Sequence, residues 1–179
     1  MIRRRLLLSL GALTLAGCST LPADTSRVRA GRFSLRAVKG DKTDSLSGRW
    51  RLLETADTLE LTLMTPLYGI LARIRVTPAG AELERPNKTG ENARDTAESA
   101  EALMQRHLGF ALPTRMLSSW LSGRPWEGLS SARTAEGFVQ SGWSVTVRRT
   151  NENGEPALVA LSQPENALQA GLSLTLTIE

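Results

Sequence analysis

A chain of 179 residues, 41% hydrophobic and 22% charged, carries enough apolar material for one domain with a core of its own. Its basicity is overstated by its first five residues: three of the 22 Lys and Arg lie there, leaving 19 against 18 acidic residues. A nearly neutral body argues against nucleic acid as a partner. A single cysteine, Cys18, leaves no thiol for a disulfide, a zinc cage or thiol catalysis once it is used elsewhere.

The chain begins with Arg3, Arg4 and Arg5, followed by an apolar run from Leu6 to Ala16. This pattern reads as the charged and hydrophobic regions of an export signal, too short to span a bilayer. Leu15-Ala16-Gly17-Cys18 resembles the lipobox cut by signal peptidase II, which predicts cleavage before Cys18 and acylation of its sulfur. The expected modification is a diacylglyceryl thioether plus an N-acyl chain on Cys18, with no other cofactor and no metal. Several acyl chains hold a protein that one would release, since each buried methylene contributes about 0.8 kcal/mol. Ser19, rather than aspartate, follows the cysteine, which resembles the sorting pattern for the outer membrane. Residues 1–17 are then the signal, 18–30 the acylated cysteine and tether, and 31–179 a single domain. The tether from Thr20 to Ala30 reaches at most about 35–40 Å.

Strands follow, each marked by period-two alternation. Phe33, Leu35 and Ala37 share one face of the first, and Trp50 and Leu52 one face of the second. Leu59, Leu61 and Leu63 mark the third; Ile70, Ala72, Ile74 and Val76 mark the fourth; Ala81 to Arg85 forms a short fifth. Asp95-Thr96-Ala97-Glu98 has capping-box spacing and predicts a helix carrying Ala100, Leu103, Met104, His107 and Leu108 on one face, ended by Gly109. Pro113 suits the first turn of a second helix bearing Met116, Leu117, Trp120 and Leu121, with Gly123 as its stop. Strands resume over Thr134 to Ser141, Trp143 to Arg149 and Ala157 to Ser162. A last one alternates Leu172, Leu174, Leu176 and Ile178 against polar residues.

Turn-sized connections between these strands predict an antiparallel meander. One face of such a sheet is apolar, and the two short helices can cover only part of it. The fold class expected is mainly β (α+β): an incomplete antiparallel β-barrel under a lid of short helices, with an apolar cavity between them.

GRFSLR (Gly31 to Arg36), SGRWRL (Ser47 to Leu52), LELTLMTPLYG (Leu59 to Gly69), AEALMQRHLGFALP (Ala100 to Pro113) and LSSWLSGRP (Leu117 to Pro125) stand in an order and spacing that resemble the LolB family. The resemblance covers most of the chain beyond the lipobox. It implies a lipid-anchored receptor on the periplasmic face of the outer membrane's inner leaflet. Such a receptor accepts acylated lipoproteins from the periplasmic carrier LolA and inserts them into that leaflet. The implied partners are LolA, the acyl chains of cargo lipoproteins and outer-membrane phospholipid, with the protein acting as a monomer. The family's protruding loop carries a proline-leucine pair implicated in delivery, matched here by Pro66 and Leu67. Tyr68 stands between that leucine and Gly69, so the tip Pro66-Leu67-Tyr68-Gly69 is apolar where turns are usually polar.

The face expected to line the acyl-chain cavity comprises Trp50, Leu52, Leu59, Leu61, Leu63, Ile74, Met104, Leu117, Trp120 and Leu121, each of which could equally be packed core. The alternative function is a lipid- or glycolipid-binding lipoprotein of similar fold in envelope assembly. An enzyme is not expected. His107, the sole histidine, reads as a packed core group, and Glu98 and Glu101 as a solvated helix face. No Gly-x-Ser-x-Gly, His-Glu-x-x-His or phosphate-binding glycine loop is present. Arginine far outnumbers lysine, which fits either headgroup contact or a compositional bias.

Overall fold

The computed structural model describes residues 26–86, 91–166 and 169–179; Cys18 and the export signal fall outside them. Eleven strands form one antiparallel sheet. The first six run β1 (Arg27–Lys39), β2 (Lys42–Glu54), β3 (Leu59–Thr65), β4 (Gly69–Thr77), β5 (Gly80–Pro86) and β6 (Asn92–Ala97). Two helices follow, α1 (Ala100–Leu108) and α2 (Thr114–Leu121). The last five strands are β7 (Ser131–Arg133), β8 (Gly137–Gln140), β9 (Trp143–Thr150), β10 (Pro156–Gln163) and β11 (Gly171–Thr177).

The spatial order is β6-β5-β4-β3-β2-β1-β11-β10-β9-β8-β7. Two meanders are therefore fused where the first strand meets the last, with Phe33 opposite Leu176 and Leu35 opposite Leu174. The edge strands β6 and β7 do not pair, so the barrel stays open along one side. The helices fill its concave face, α1 packing on β4, β5 and β6 and α2 on β3 and β10. Sharp curling is set at Gly31 and Gly48. A Cβ at Gly31 would lie 1.8 Å from the Thr177 carbonyl oxygen, and one at Gly48 would lie 1.9 Å from that of Met64.

The core is the set of inward positions that alternation picks out: Phe33, Leu35, Trp50, Leu52, Leu61, Leu63, Ile74 and Leu83, joined by Val145, Val159, Leu161, Leu172, Leu174 and Leu176. Burying each such side chain contributes roughly 1.5–3 kcal/mol. Trp50 is satisfied inside this core because its indole N–H lies 3.2 Å from the carbonyl oxygens of both Arg32 and Thr177. On the outer face, arginines form cross-strand ion pairs. Glu60 meets Arg75 at 3.0 Å and Arg73 at 3.6 Å, and Glu84 meets Arg73 and Arg94 at 3.6 Å each. Arg73, Arg75 and Arg94 are thus accounted for by pairing across a solvated sheet face.

Four details differ from the sequence reading. Asp95-Thr96-Ala97-Glu98 does not cap α1: Asp95 and Thr96 are drawn into β6, opposite Leu83 and Glu82, and the cap is Ser99, whose hydroxyl accepts from the Ala102 N–H at 3.2 Å. The single strand expected over Thr134 to Ser141 is a hairpin, β7 and β8, turning where the Thr134 N–H donates to the Gly137 carbonyl. Strand β1 begins at Arg27, four residues before Gly31, because it pairs with β2 as far as Glu54.

The fourth difference is at Ile70, which does not share the inward face of Ala72, Ile74 and Val76. A bulge between the Leu63–Ala72 and Met64–Ile70 pairs inserts Leu71 and turns Ile70 outward, where it is 39% exposed.

Candidate functional site

The Leu67 tip is the turn of the β3–β4 hairpin. Strand β3 ends at Thr65, whose hydroxyl lies 3.3 Å from the Tyr68 N–H and folds the turn back on itself. Gly69 closes it in the left-handed region (φ +64°), which a side chain would strain. Pro66 fixes its own φ and donates nothing, so the chain leaves the sheet abruptly there. The result is an apolar knob: Leu67 is 85% exposed and Tyr68 74%, with Ile70 beside them. Leaving aliphatic and aromatic groups in water costs free energy that a bilayer interface would recover, and such clusters mark interaction surfaces.

Behind this knob lies an apolar hollow between the sheet and the helices. It is lined by Phe33 and Leu35 of β1, Trp50 of β2, Leu61 and Leu63 of β3, and Leu174 and Leu176 of β11. Phe110 and Leu112, from the connector between the helices, and Leu117 of α2 complete the wall. Leu63 belongs to the hollow, and four residues later Leu67 stands in solvent. One hairpin joins the two features.

The free space is only about 20 Å³, room for roughly one water, whereas a cavity of about 150 Å³ is needed for a molecule the size of benzene. The helices were expected to leave the sheet partly uncovered. Instead Phe110 and Leu112 plug it, and the hollow is almost filled.

Of the ten residues expected along the cavity, the structure brings Trp50, Leu61, Leu63 and Leu117 to its wall. Leu52, Leu59, Ile74, Met104, Trp120 and Leu121 are buried in the core outside that lining. Six lining residues were absent from the expected set. Phe33, Leu35, Leu174 and Leu176 carried an alternation signal, but only the pairing of β1 with β11 places them together. Phe110 and Leu112 lie in irregular chain, where periodicity says nothing.

Polar contacts tie the cover down. On the inner face of β6, Asp95 accepts from Arg106 at 2.8 Å and meets His107 Nε2 at 2.7 Å. These bonds, with that of the Thr96 N–H, hold its carboxyl below the usual carboxylate range, at about 2; the His107 bond is the largest cause. His107 is thus half-buried at a helix–strand contact and not a purely apolar core group. Glu101, expected to be solvated, accepts from the Thr114 N–H at 2.9 Å and the Thr114 hydroxyl at 3.2 Å. Midway along α2, Ser118 donates to Glu54 at 2.5 Å, and Arg29 donates to the Ser118 carbonyl at 2.7 Å. Among the described residues no cluster of His, Cys, Asp and Glu could hold a metal ion, and no helix is long and apolar enough to cross a membrane.

Comparison with known proteins gives a single answer. The family model "Outer membrane lipoprotein LolB" matches residues 28–179. An outer-membrane lipoprotein LolB of Cupriavidus pinatubonensis is 37% identical over 159 residues, covering 80% of this chain and 75% of the relative. That of Cupriavidus taiwanensis is 31% identical, covering 99% and 96%. That of Bordetella pertussis is 30% identical, covering 91% and 86%. An open antiparallel barrel under two helices, with this run of matches over nearly all its described length, places the chain: it belongs to the LolB family of outer-membrane lipoproteins.

Proposed function

We propose that this lipoprotein receives acylated lipoproteins from the periplasmic carrier LolA and inserts them into the inner leaflet of the outer membrane. Its own anchor is the lipid on Cys18. The observation that carries this reading is the continuity of one hairpin, with Leu63 in the wall of a wholly apolar hollow and Leu67 exposed at the tip. Acyl chains are costly in water, at about 0.8 kcal/mol per methylene, so a carrier must offer an apolar substitute for the bilayer. Transfer then needs no covalent step, only hosts that bind the chains with increasing favour. We assign no catalysis to the protein and no cofactor beyond its covalent lipid.

Because the hollow is nearly filled, loading requires Phe110 and Leu112 to withdraw, exchanging their own apolar contacts for those of the guest. That exchange keeps uptake reversible, as a relay intermediate must be. Delivery places Leu67 and Tyr68 in the interfacial zone, where the phospholipid is the final partner, and the protein acts as a monomer.

The test follows an acylated lipoprotein from its LolA complex to the non-acylated form of this chain, then to liposomes. Wild type is expected to accept and deliver, and Leu67→Glu to accept but deliver poorly. Failure of the wild type to take cargo overturns the receptor reading. Equal delivery by the mutant overturns the role of the tip alone.

A further inference from the structure

The inward face of β1 opens with two arginines before it turns apolar. Residues 27, 29, 31, 33 and 35 alternate onto the same face, so Arg27 and Arg29 stand at the barrel rim above Phe33 and Leu35. There they line a cleft of about 590 Å³ together with Arg124, just beyond α2, and the β9–β10 turn. Arg29 is half-buried and has a structural task, donating to the Ser118 carbonyl at 2.7 Å and the Ser122 hydroxyl at 2.6 Å at the C-terminal end of α2. Arg27 and Arg124 are exposed, and none of the three forms an ion pair among the described residues. This contrasts with Arg73, Arg75 and Arg94 of the outer sheet face. Burial, Arg27 and Arg124 all lower the Arg29 pKa, against partial compensation from Glu54 and Glu155. Three guanidinium groups against Glu155 leave an excess of positive charge in the cleft, a local imbalance of the kind that sites for an opposite charge retain.

The remaining walls include Pro156, Ile178 and the acidic Glu155, so the cleft sets three guanidinium groups against one carboxylate, with an apolar wall beside them. That is the chemistry of an anionic amphiphile's head. Its place in the fold selects the source. Cys18 lies nine residues before Arg27 along the chain, at most about 30–32 Å away. The cleft therefore stays within reach of the leaflet that holds the anchor. It also lies at the opposite end of the β1–β3 strands from the Leu67 turn, because β3 runs from the Glu54 end of β2 away from Arg27.

We propose that Arg27, Arg29 and Arg124 form a binding site for the phosphodiester headgroup of an anionic glycerophospholipid in the anchoring leaflet. The inference rests on the acylation of Cys18, not on the hollow. Headgroup binding holds the tether end of the domain on the membrane and leaves the Leu67 end facing the periplasm until the domain turns over to deliver.

The experiment titrates the acylated chain, in non-ionic detergent, with dihexanoyl phosphatidylglycerol, dihexanoyl phosphatidylcholine and inorganic phosphate, read by calorimetry. Phosphatidylglycerol is expected to bind saturably, more weakly as salt rises, and about tenfold or more weaker to Arg27→Gln/Arg124→Gln, since charge-assisted contacts to two guanidinium groups are lost. Arg124→Glu alone, at an exposed loop position, gives the same loss should the double variant melt early. Unchanged affinity in these variants overturns the site. Inorganic phosphate binding as tightly as phosphatidylglycerol, and phosphatidylcholine doing so, each overturn its assignment to an anionic lipid. Cargo uptake from LolA is expected to be unaltered in the variants, so failure here and failure of the receptor reading are read separately.

Discussion

Glu101 of α1 caps α2: its carboxylate accepts the Thr114 N–H at 2.9 Å and the Thr114 hydroxyl at 3.2 Å. The residue preceding Thr114 is Pro113, which has no side-chain oxygen and makes no cap of its own. The start of α2 exposes unpaired N–H groups and the positive end of the helix, so a carboxylate delivered from the neighbouring helix serves both needs. The pair makes the two helices one unit across the connector that plugs the hollow.

Glu101→Ala is therefore expected to destabilise the domain by about 1 kcal/mol, the usual worth of an N-cap, and to lower Tm by roughly 2–4 °C. Thermal melts of Glu101→Ala, Thr114→Ala and the double variant check it. Additive effects would show that the two residues do not interact as described.

Gln140 is a second joint that periodicity does not reveal. It is almost wholly buried, and its carbonyl oxygen accepts from the Trp120 indole and the Trp126 N–H, both at 2.8 Å. Its amide donates to the Trp126 and Leu129 carbonyls at the same distance. Gln140→Leu would keep the volume but strand buried donors and acceptors, each costing about 1–3 kcal/mol. A loss of about 3 kcal/mol in urea unfolding is expected, with residues 122–130 becoming the first segment to exchange amide hydrogens.

The Asp95 carboxylate gives α1 a dependence on acid. Its pKa falls from 3.8 to about 2, first through His107 and then through Arg106. A depressed carboxylate stabilises the fold above its unfolded pKa and loses that contribution as pH falls through its folded one. The attachment of α1 to β6 should thus be intact above pH 4 and weaken between about pH 4 and 2. Hydrogen exchange across residues 100–108 is expected to speed up in that window, and Asp95→Asn to abolish the step. A step that survives in the variant would assign it to another group.

These joints show where sequence reading stops. Period-two alternation located the inward positions of β1–β3 and β11 and most of those of β4, because each strand has one wet and one dry face; β5, β9 and β10 read as strands without an assigned face. It missed β6, whose inward positions hold only Ala93, Asp95 and Ala97 and so carry no apolar signal. It placed Ile70 inward because a bulge leaves no mark in the composition of β4. The exposed tip was legible, since Pro66-Leu67-Tyr68-Gly69 is apolar chain at a turn. The wall of the hollow was legible only in part, because it forms where the two ends of the chain meet and where the irregular residues Phe110 and Leu112 descend.

Ile70 also enlarges the tip. Beside Leu67 and Tyr68 it adds a third exposed apolar group, placed there by the bulge. Ile70→Ser is expected to change stability by less than about 0.5 kcal/mol, as exposed substitutions do, while weakening vesicle insertion of cargo. Single, double and triple substitutions at 67, 68 and 70 should reduce insertion progressively. A full loss at Leu67 with no further effect at Ile70 would confine the function to the leucine.

The sharpest question is whether the hollow is a site or merely a thin place in the core, and two truncations of similar cost separate these. Phe110→Ala removes a ring that plugs the hollow, whereas Leu103→Ala removes a side chain of α1 that is fully buried but outside its wall. Both should destabilise the domain, by about 3–5 and 2–5 kcal/mol respectively, because each leaves a cavity that the surroundings only partly refill. Only the first adds its vacated volume to space already bounded by Phe33, Leu35, Leu61, Leu174 and Leu176. Phe110→Ala is therefore expected to take up a fluorescent fatty acid several-fold more tightly than wild type, since the guest no longer has to displace the phenyl ring. Leu103→Ala should leave uptake where it was. Equal gains in both variants would mean that any void in this core admits hydrocarbon, and the hollow would lose its claim to be a built site.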